Sequence, residues 1–124
     1  MPANTLTLFP DSAQIDDTES LVIGGCEVRQ LVSDHGTPLY LYDGAALDSA
    51  LAAYQSALAR HYPGETLLAY AAKAWLCSAS ARWIAQRGIG LDVVSGGELA
   101  IALHGGVQPD RIHFHGNNKS DSEL

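Results

Sequence analysis

Residues 66–95, TLLAYAAKAWLCSASARWIAQRGIGLDVVS, decide the fold. The stretch opens on an apolar run, Leu67 to Ala72, that ends on a single lysine, Lys73. A helical segment follows over Leu76–Gln86, then a second apolar run over Leu91–Val94. Strand, helix, strand is the βαβ unit, whose two strands lie parallel with a right-handed crossover. The near-continuous apolar content of Thr66–Ala72 suits a strand covered on both faces. A lysine at the carboxyl end of a parallel strand sits where α/β folds place their chemistry. In a partly apolar site its ammonium is costly to keep charged, which favours the free amine as a nucleophile. An imine with an aldehyde such as pyridoxal phosphate is the obvious use of that amine; an ordinary solvated lysine at a strand end is the other reading.

The flanking segments extend the alternation. Asp43 is placed to cap a first helix, whose apolar face is Leu47, Leu51, Tyr54 and Leu58 at helical spacing, and Pro63-Gly64 ends it. The helix of the central stretch carries Cys77, Ala81, Ile84 and Ala85 on one face and ends at Gly88, which makes Cys77 a small buried hydrophobe rather than a reactive thiol. Ser95-Gly96-Gly97-Glu98 has the form of a capping box for a third helix over Glu98–Leu103; glycines beside a helix start also suit a phosphate. His104-Gly105-Gly106 closes that helix, with Val107 placed for the apolar contact of a glycine C-cap. Arg111–His115 reads as a third strand, with Ile112 and Phe114 on one face and His113 and His115 on the other. Two histidines at that spacing can bind a metal, but no third ligand stands nearby and none is expected. Ser120-Asp121-Ser122-Glu123 announces a fourth helix.

Upstream, Met1–Ser20 reads as mostly irregular. Leu21–Ile23 and Val28–Leu31 read as short extended pieces around Gly24-Gly25, and Leu39–Tyr42 as a β-prone run after a turn at Gly36-Thr37-Pro38. The chain has 124 residues, of which 47% are apolar and 17% charged, the balance of a globular chain. A net charge of −7 argues against a nucleic-acid partner, which asks for a basic face. Asp11, Asp16, Asp17 and Glu19 supply much of it, as a solvated tail. Cys26 and Cys77 fit no metal spacing and read as free thiols of a reducing cytoplasm. No apolar stretch approaches the roughly 20 residues of a membrane span.

Three blocks in order, YAAKA at 70–74, LDVVSGGELAIAL at 91–103 and PDRIHFHGNNKS at 109–120, resemble the amino-terminal part of the diaminopimelate decarboxylases. These belong to the alanine-racemase-like, fold type III group of pyridoxal phosphate enzymes, with ornithine and arginine decarboxylases as relatives. The resemblance runs from about Thr37 to the last residue, and HFHGNNKS and DVVSGGEL favour the diaminopimelate branch. One departure is local: many members follow the lysine with Ala-Asn, whereas here Ala74 precedes Trp75, Leu76 and Cys77.

The resemblance implies an α/β fold: the first three β/α units of a pyridoxal-phosphate-binding (β/α)8 barrel over residues 37–124. Residues 1–36 then form an irregular segment with short strands belonging to a second, β-rich domain. It implies decarboxylation of meso-2,6-diaminopimelate to L-lysine, with an ornithine or arginine decarboxylase or an alanine-racemase-like enzyme as alternatives. Lys73 is the implied catalytic residue, with Lys73, Ala71, Asp92 and His115 binding the cofactor, pyridoxal 5'-phosphate. Asp92 is otherwise an acid at a turn edge, and His115 a satisfied structural histidine. A cytoplasmic homodimer with no membrane or nucleic-acid partner is implied as well. A whole barrel takes roughly 250 residues, so a chain of 124 residues is expected to be part of a longer enzyme and inactive alone.

Overall fold

The computed structural model describes residues 6–124, which divide into two compact units that meet between Pro63 and Gly64.

The first unit opens on a 3-10 turn at Leu6–Leu8 and builds a three-stranded antiparallel sheet from β1 (Gln14–Ile15), β2 (Leu21–Ile23) and β3 (Cys26–Glu27), in the order β1-β2-β3. Asp16 makes the β1–β2 turn: its Oδ1 accepts from Thr18 N, Thr18 Oγ1 and Ser20 N at 2.7–2.9 Å. That carboxylate is thus a turn-former rather than part of a loose acidic tail. Helix α1 (Val28–His35) follows. The short extended piece expected at Val28–Leu31 is therefore helical. Val28, Leu31 and Val32 repeat at helical spacing, and the helix closes at Gly36, where φ is +80°. Leu39–Tyr42 forms no strand either, and Tyr40 is 86% exposed. β propensity describes a fit to a neighbouring strand, and none pairs here among the described residues.

Helix α2 (Gly44–His61) begins where the sequence places it. Asp43 Oδ1 accepts from Ala45 N at 2.9 Å and Ala46 N at 3.3 Å, while Ser12 Oγ donates to Oδ2. Gly24 N donates in turn to Ser12 Oγ at 3.0 Å, so one carboxylate ties the hairpin of this unit to the helix start. The Ser12 hydroxyl, then the Ala46 and Ala45 amides, hold the Asp43 carboxyl below its ordinary value of 3.8. A carboxyl lowered in the folded state contributes stability above its unfolded value and loses it as pH falls through the folded one. Acidification below about pH 4 is therefore expected to lower the unfolding midpoint of the wild type more steeply than that of Asp43→Asn. Parallel slopes in a pH series of thermal melts would contradict this.

The second unit is a parallel three-stranded sheet, β4 (Ala69–Ala71), β5 (Gly90–Val93) and β6 (Ile112–Phe114), in the order β4-β5-β6. Helix α3 (Ser78–Arg87) connects the first pair and α4 (Gly96–His104) the second. The strands are shorter than the apolar runs suggest: β4 ends at Ala71, and Ala72–Ala74 form a 3-10 turn that packs beside β5. Both helices pack on each other and on β5. Leu91, Val93, Ala81, Ile84 and Ala102 are 0% exposed and form the core between helices and sheet. At an ordinary transfer value full burial of the larger side chains among these, Ile84, Leu91 and Val93, contributes about 1.5–3 kcal/mol each.

Helix α3 starts later than expected. Cys77 is its N-cap rather than a member of the buried face: Cys77 N donates to Ser80 Oγ at 2.9 Å, and the Ser80 backbone N–H points back at the thiol. That N–H lowers the thiol's pKa from its usual 9.0, with the Ala79 amide, the Ser80 hydroxyl and the Arg82 charge adding to it against partial desolvation. The helix ends on Gly88 in the left-handed region, at φ +62°. Helix α4 ends in a Schellman motif: Val107 N donates to Ala102 O at 3.1 Å and Gly106 N to Leu103 O at 3.0 Å, with Gly106 at φ +89° and Val107 buried.

Candidate functional site

The site is built from the alternation of the three parallel strands. Side chains two apart share a face. Leu91 and Val93 face the helices, so Asp92 between them faces the other way. The ladder pairs Ala71 with Asp92 and Asp92 with His113, which places these three in one row on that opposite face. His115 stands two residues beyond His113, just past the end of β6, and its N–H still bonds Val93 O at 3.0 Å. Lys73 stands two residues beyond Ala71, in the turn that follows β4. The rim at the carboxyl end of the sheet thus carries Lys73, Ser95 and His115, one after each strand.

This face is open where the other is packed. Lys73, His113 and His115 are exposed, and Ala71 and Asp92 half-buried. Lys73 stands exposed among the described residues. Its ammonium has no hydrogen bond or ion pair among the described residues. The chain's other lysine, Lys119, differs: its Nζ donates to Gly116 O at 2.9 Å and lies 4.7 Å from the centroid of the Phe114 ring. Because Lys73 belongs to a 3-10 turn and not to the strand, the rule that residues two apart share a strand face, which would group it with Ala71, does not set its direction. Trp75, the departure from Ala-Asn, is used in packing: its carbonyl accepts from Tyr70 Oη at 3.1 Å.

Of the sequence-derived site residues, two touch. Asp92 Oδ2 lies 3.0 Å from His115 Nε2, with the side chains 32% and 58% exposed. A carboxylate–imidazole contact with this much solvent access is worth about 0–1 kcal/mol to folding.

The rim after β5 is occupied by capping groups. Ser95 Oγ accepts from Glu98 N at 3.2 Å, and Glu98 Oε2 reaches back to Val94 N at 2.7 Å. Gly96 N donates to Glu123 Oε1 at 3.0 Å. The capping reading of Ser-Gly-Gly-Glu is the one observed; its glycine amide serves a carboxylate of the same chain. Residues 121–123 form a turn, and Glu123 Oε2 accepts from Ser120 N and Oγ at 2.9 and 2.8 Å, the reach-back expected of the Ser-Asp-Ser-Glu pattern. The Ser120 amide, the Ser120 hydroxyl and the Gly96 amide, in that order, hold the Glu123 carboxyl below its usual value. Nothing in the local sequence signals the 27-residue reach from Glu123 to Gly96.

The donor set fits an aldehyde cofactor. It offers one amine with no competing partner among the described residues, a small side chain at Ala71 that leaves room on the face, and a carboxylate–imidazole pair on the same face. Residues 45–124 match the family described as pyridoxal-dependent decarboxylase, pyridoxal binding domain. The chain belongs to that family. Among curated proteins it is 42% identical to the diaminopimelate decarboxylase of Synechocystis sp., over 99% of this chain and 28% of that protein. It is 43% identical to the diaminopimelate decarboxylase of Mycobacterium tuberculosis, over 94% of this chain and 25% of that protein. Among solved structures, diaminopimelate decarboxylase from M. jannaschii superposes with a TM-score of 0.84 at 36% identity, over 91% of this chain and 26% of that one. The chain therefore spans about a quarter of the length of the relatives it matches.

Proposed function

We propose that the whole protein carries out the pyridoxal-phosphate-dependent decarboxylation of meso-2,6-diaminopimelate to L-lysine, the last step of lysine biosynthesis. This chain then supplies the first three β/α units of a (β/α)8 barrel over residues 37–124, and residues 1–36 join a second, β-rich domain. The observation that carries the reading is Lys73: an amine without a partner among the described residues, at the carboxyl end of a parallel sheet, in a chain of the pyridoxal-dependent decarboxylase family. A solved M. jannaschii relative, similar at a TM-score of 0.83 and 36% identity, is a complex with L-lysine, the product of the proposed reaction.

In this reading Lys73 Nζ would hold the cofactor through its aldehyde carbon. Ala71 leaves the face beside it uncrowded. Asp92 holds a negative charge on the cofactor's side of the sheet, and His115 lines the same pocket. Bound pyridoxal phosphate supplies the electron sink that lets an α-carboxylate leave as carbon dioxide. A cytoplasmic homodimer completes the proposal and rests on the resemblance to the family.

The test is a substrate panel on the whole protein with diaminopimelate, ornithine, arginine and alanine. Carbon dioxide release from diaminopimelate is expected with kcat/KM at least about 100-fold above the other decarboxylations, some 2.7 kcal/mol of discrimination. Equal efficiency on ornithine or arginine, or racemisation of alanine, would move the protein to another branch of the family.

A further inference from the structure

We propose that His115 is a positioning residue for Asp92: it draws the Asp92 carboxylate toward the carboxyl-terminal rim of the sheet, level with Lys73. This rests on the reading of Lys73 as the cofactor lysine and adds a role for its neighbours.

The observation is a diagonal contact. Across the ladder Asp92 stands opposite Ala71 on one side and His113 on the other. The direct neighbour with a donor is His113, yet the contact that forms, at 3.0 Å, is with His115. His115 lies one side-chain repeat further along β6, about 6.6 Å up the strand at ~3.3 Å per residue. Its backbone N–H is fixed on Val93 O at 3.0 Å, so the imidazole projects from an anchored position. The carboxylate therefore leans toward the level at which β4 gives way to the turn carrying Lys73.

Stability does not account for this arrangement. With side chains 58% and 32% exposed, the pair adds little to folding. The charged and titratable groups of this face and its ends include Lys73, Asp92, Glu98, Arg111, His113, His115 and Glu123; Glu98 accepts from Val94 N and Glu123 from Gly96 N. Arg111 donates its guanidinium to Gly88 O, away from the carboxylate. What a rim-directed carboxylate would do is electrostatic: an anion turned toward the end of the sheet that carries Lys73 favours the positively charged form of whatever that nitrogen carries.

The experiment reads the pH midpoint of the absorbance change of pyridoxal phosphate bound to the whole protein, with urea unfolding of each variant as the folding control. His115→Leu, which removes the donor, is expected to lower the midpoint by about half to one pH unit. His115→Gln, which keeps an N–H within reach of the carboxylate, is expected to stay within about 0.2 unit of wild type. Asp92→Asn is expected to lower it at least as far as His115→Leu, and adding His115→Leu to Asp92→Asn to lower it no further. The proposal is overturned if His115→Leu leaves the midpoint at the wild-type value, if it shifts the midpoint equally with and without Asp92, or if Asp92→Asn has no effect. Borohydride reduction of the wild type separates the two levels of the argument. A pyridoxyl mass missing from Lys73 ends both readings; a mass on Lys73 with an unmoved His115→Leu midpoint ends only this one.

Discussion

Lys73→Ala in the whole protein is expected to abolish the borohydride-fixed pyridoxyl mass on the 70–87 segment and to lower decarboxylation by at least about 10³-fold, on the order of 4 kcal/mol in barrier. Folding should be nearly untouched. Lys73 is exposed and has no hydrogen bond or ion pair among the described residues, so truncation there belongs with surface changes of about ±0.5 kcal/mol. Lys73→Arg separates nucleophile from charge: it restores the cation but not an amine able to bond the aldehyde, and should remain as inactive as the alanine variant. Lys119 is the internal control, because its ammonium is already engaged with Gly116 O and the Phe114 ring. A cofactor mass on Lys119, or a Lys73→Ala protein that still decarboxylates at a tenth of the wild-type rate, would remove Lys73 from the chemistry.

The largest expected loss of stability comes from a residue far from any chemistry. Gly105 follows α4 where that helix meets α3, and a Cβ built on it would fall 2.3 Å from Ala81 Cβ and 3.0 Å from the Ala81 carbonyl carbon. Ala81 is 0% exposed and cannot swing aside, and Gly105 N is held by Ile101 O at 2.9 Å. Gly105→Ala must therefore separate two packed helices, at a cost of about 3 kcal/mol. The neighbouring glycine gives the comparison. Gly106 sits at φ +89° with the nearest atom 3.9 Å from its virtual Cβ, so Gly106→Ala meets backbone strain but no clash, about 1 kcal/mol. Urea unfolding midpoints should rank wild type above Gly106→Ala above Gly105→Ala; the reverse order of the two variants would mean that the helices are not in tight contact there.

The parts of this chain readable from sequence are those fixed by near neighbours. Asp43 and Ser95 announce helix starts because a cap needs only a side-chain oxygen and amides two or three residues on. The glycine stop after α4 is legible for the same reason, down to the burial of Val107. The βαβ order follows from apolar runs and their spacing, and the facing of Asp92, His113 and His115 follows from strand parity alone. What fails depends on distant partners. Leu39–Tyr42 carries β-prone residues, but a strand requires another to pair with. Glu123 makes the expected reach-back to Ser120, but the bond from Gly96 N to its other oxygen is a long-range contact that no local pattern states. The Asp92–His115 contact depends on a parallel register, which a single sequence does not state. The apolar run puts Lys73 at a strand end, but β4 stops at Ala71, and the tight turn over Ala72–Ala74 removes the alternation that would aim its side chain.

The division of β5 into an oily side and a side that carries Asp92 also guards against misassembly. Sliding that strand by one residue would turn Asp92 into the helix layer, where a carboxylate would be stranded without water, and would push Leu91 and Val93 out into solvent. Mispairing would thus be penalised twice, so the register that sets Asp92 between Ala71 and His113 is the one that the folding chain is driven to select.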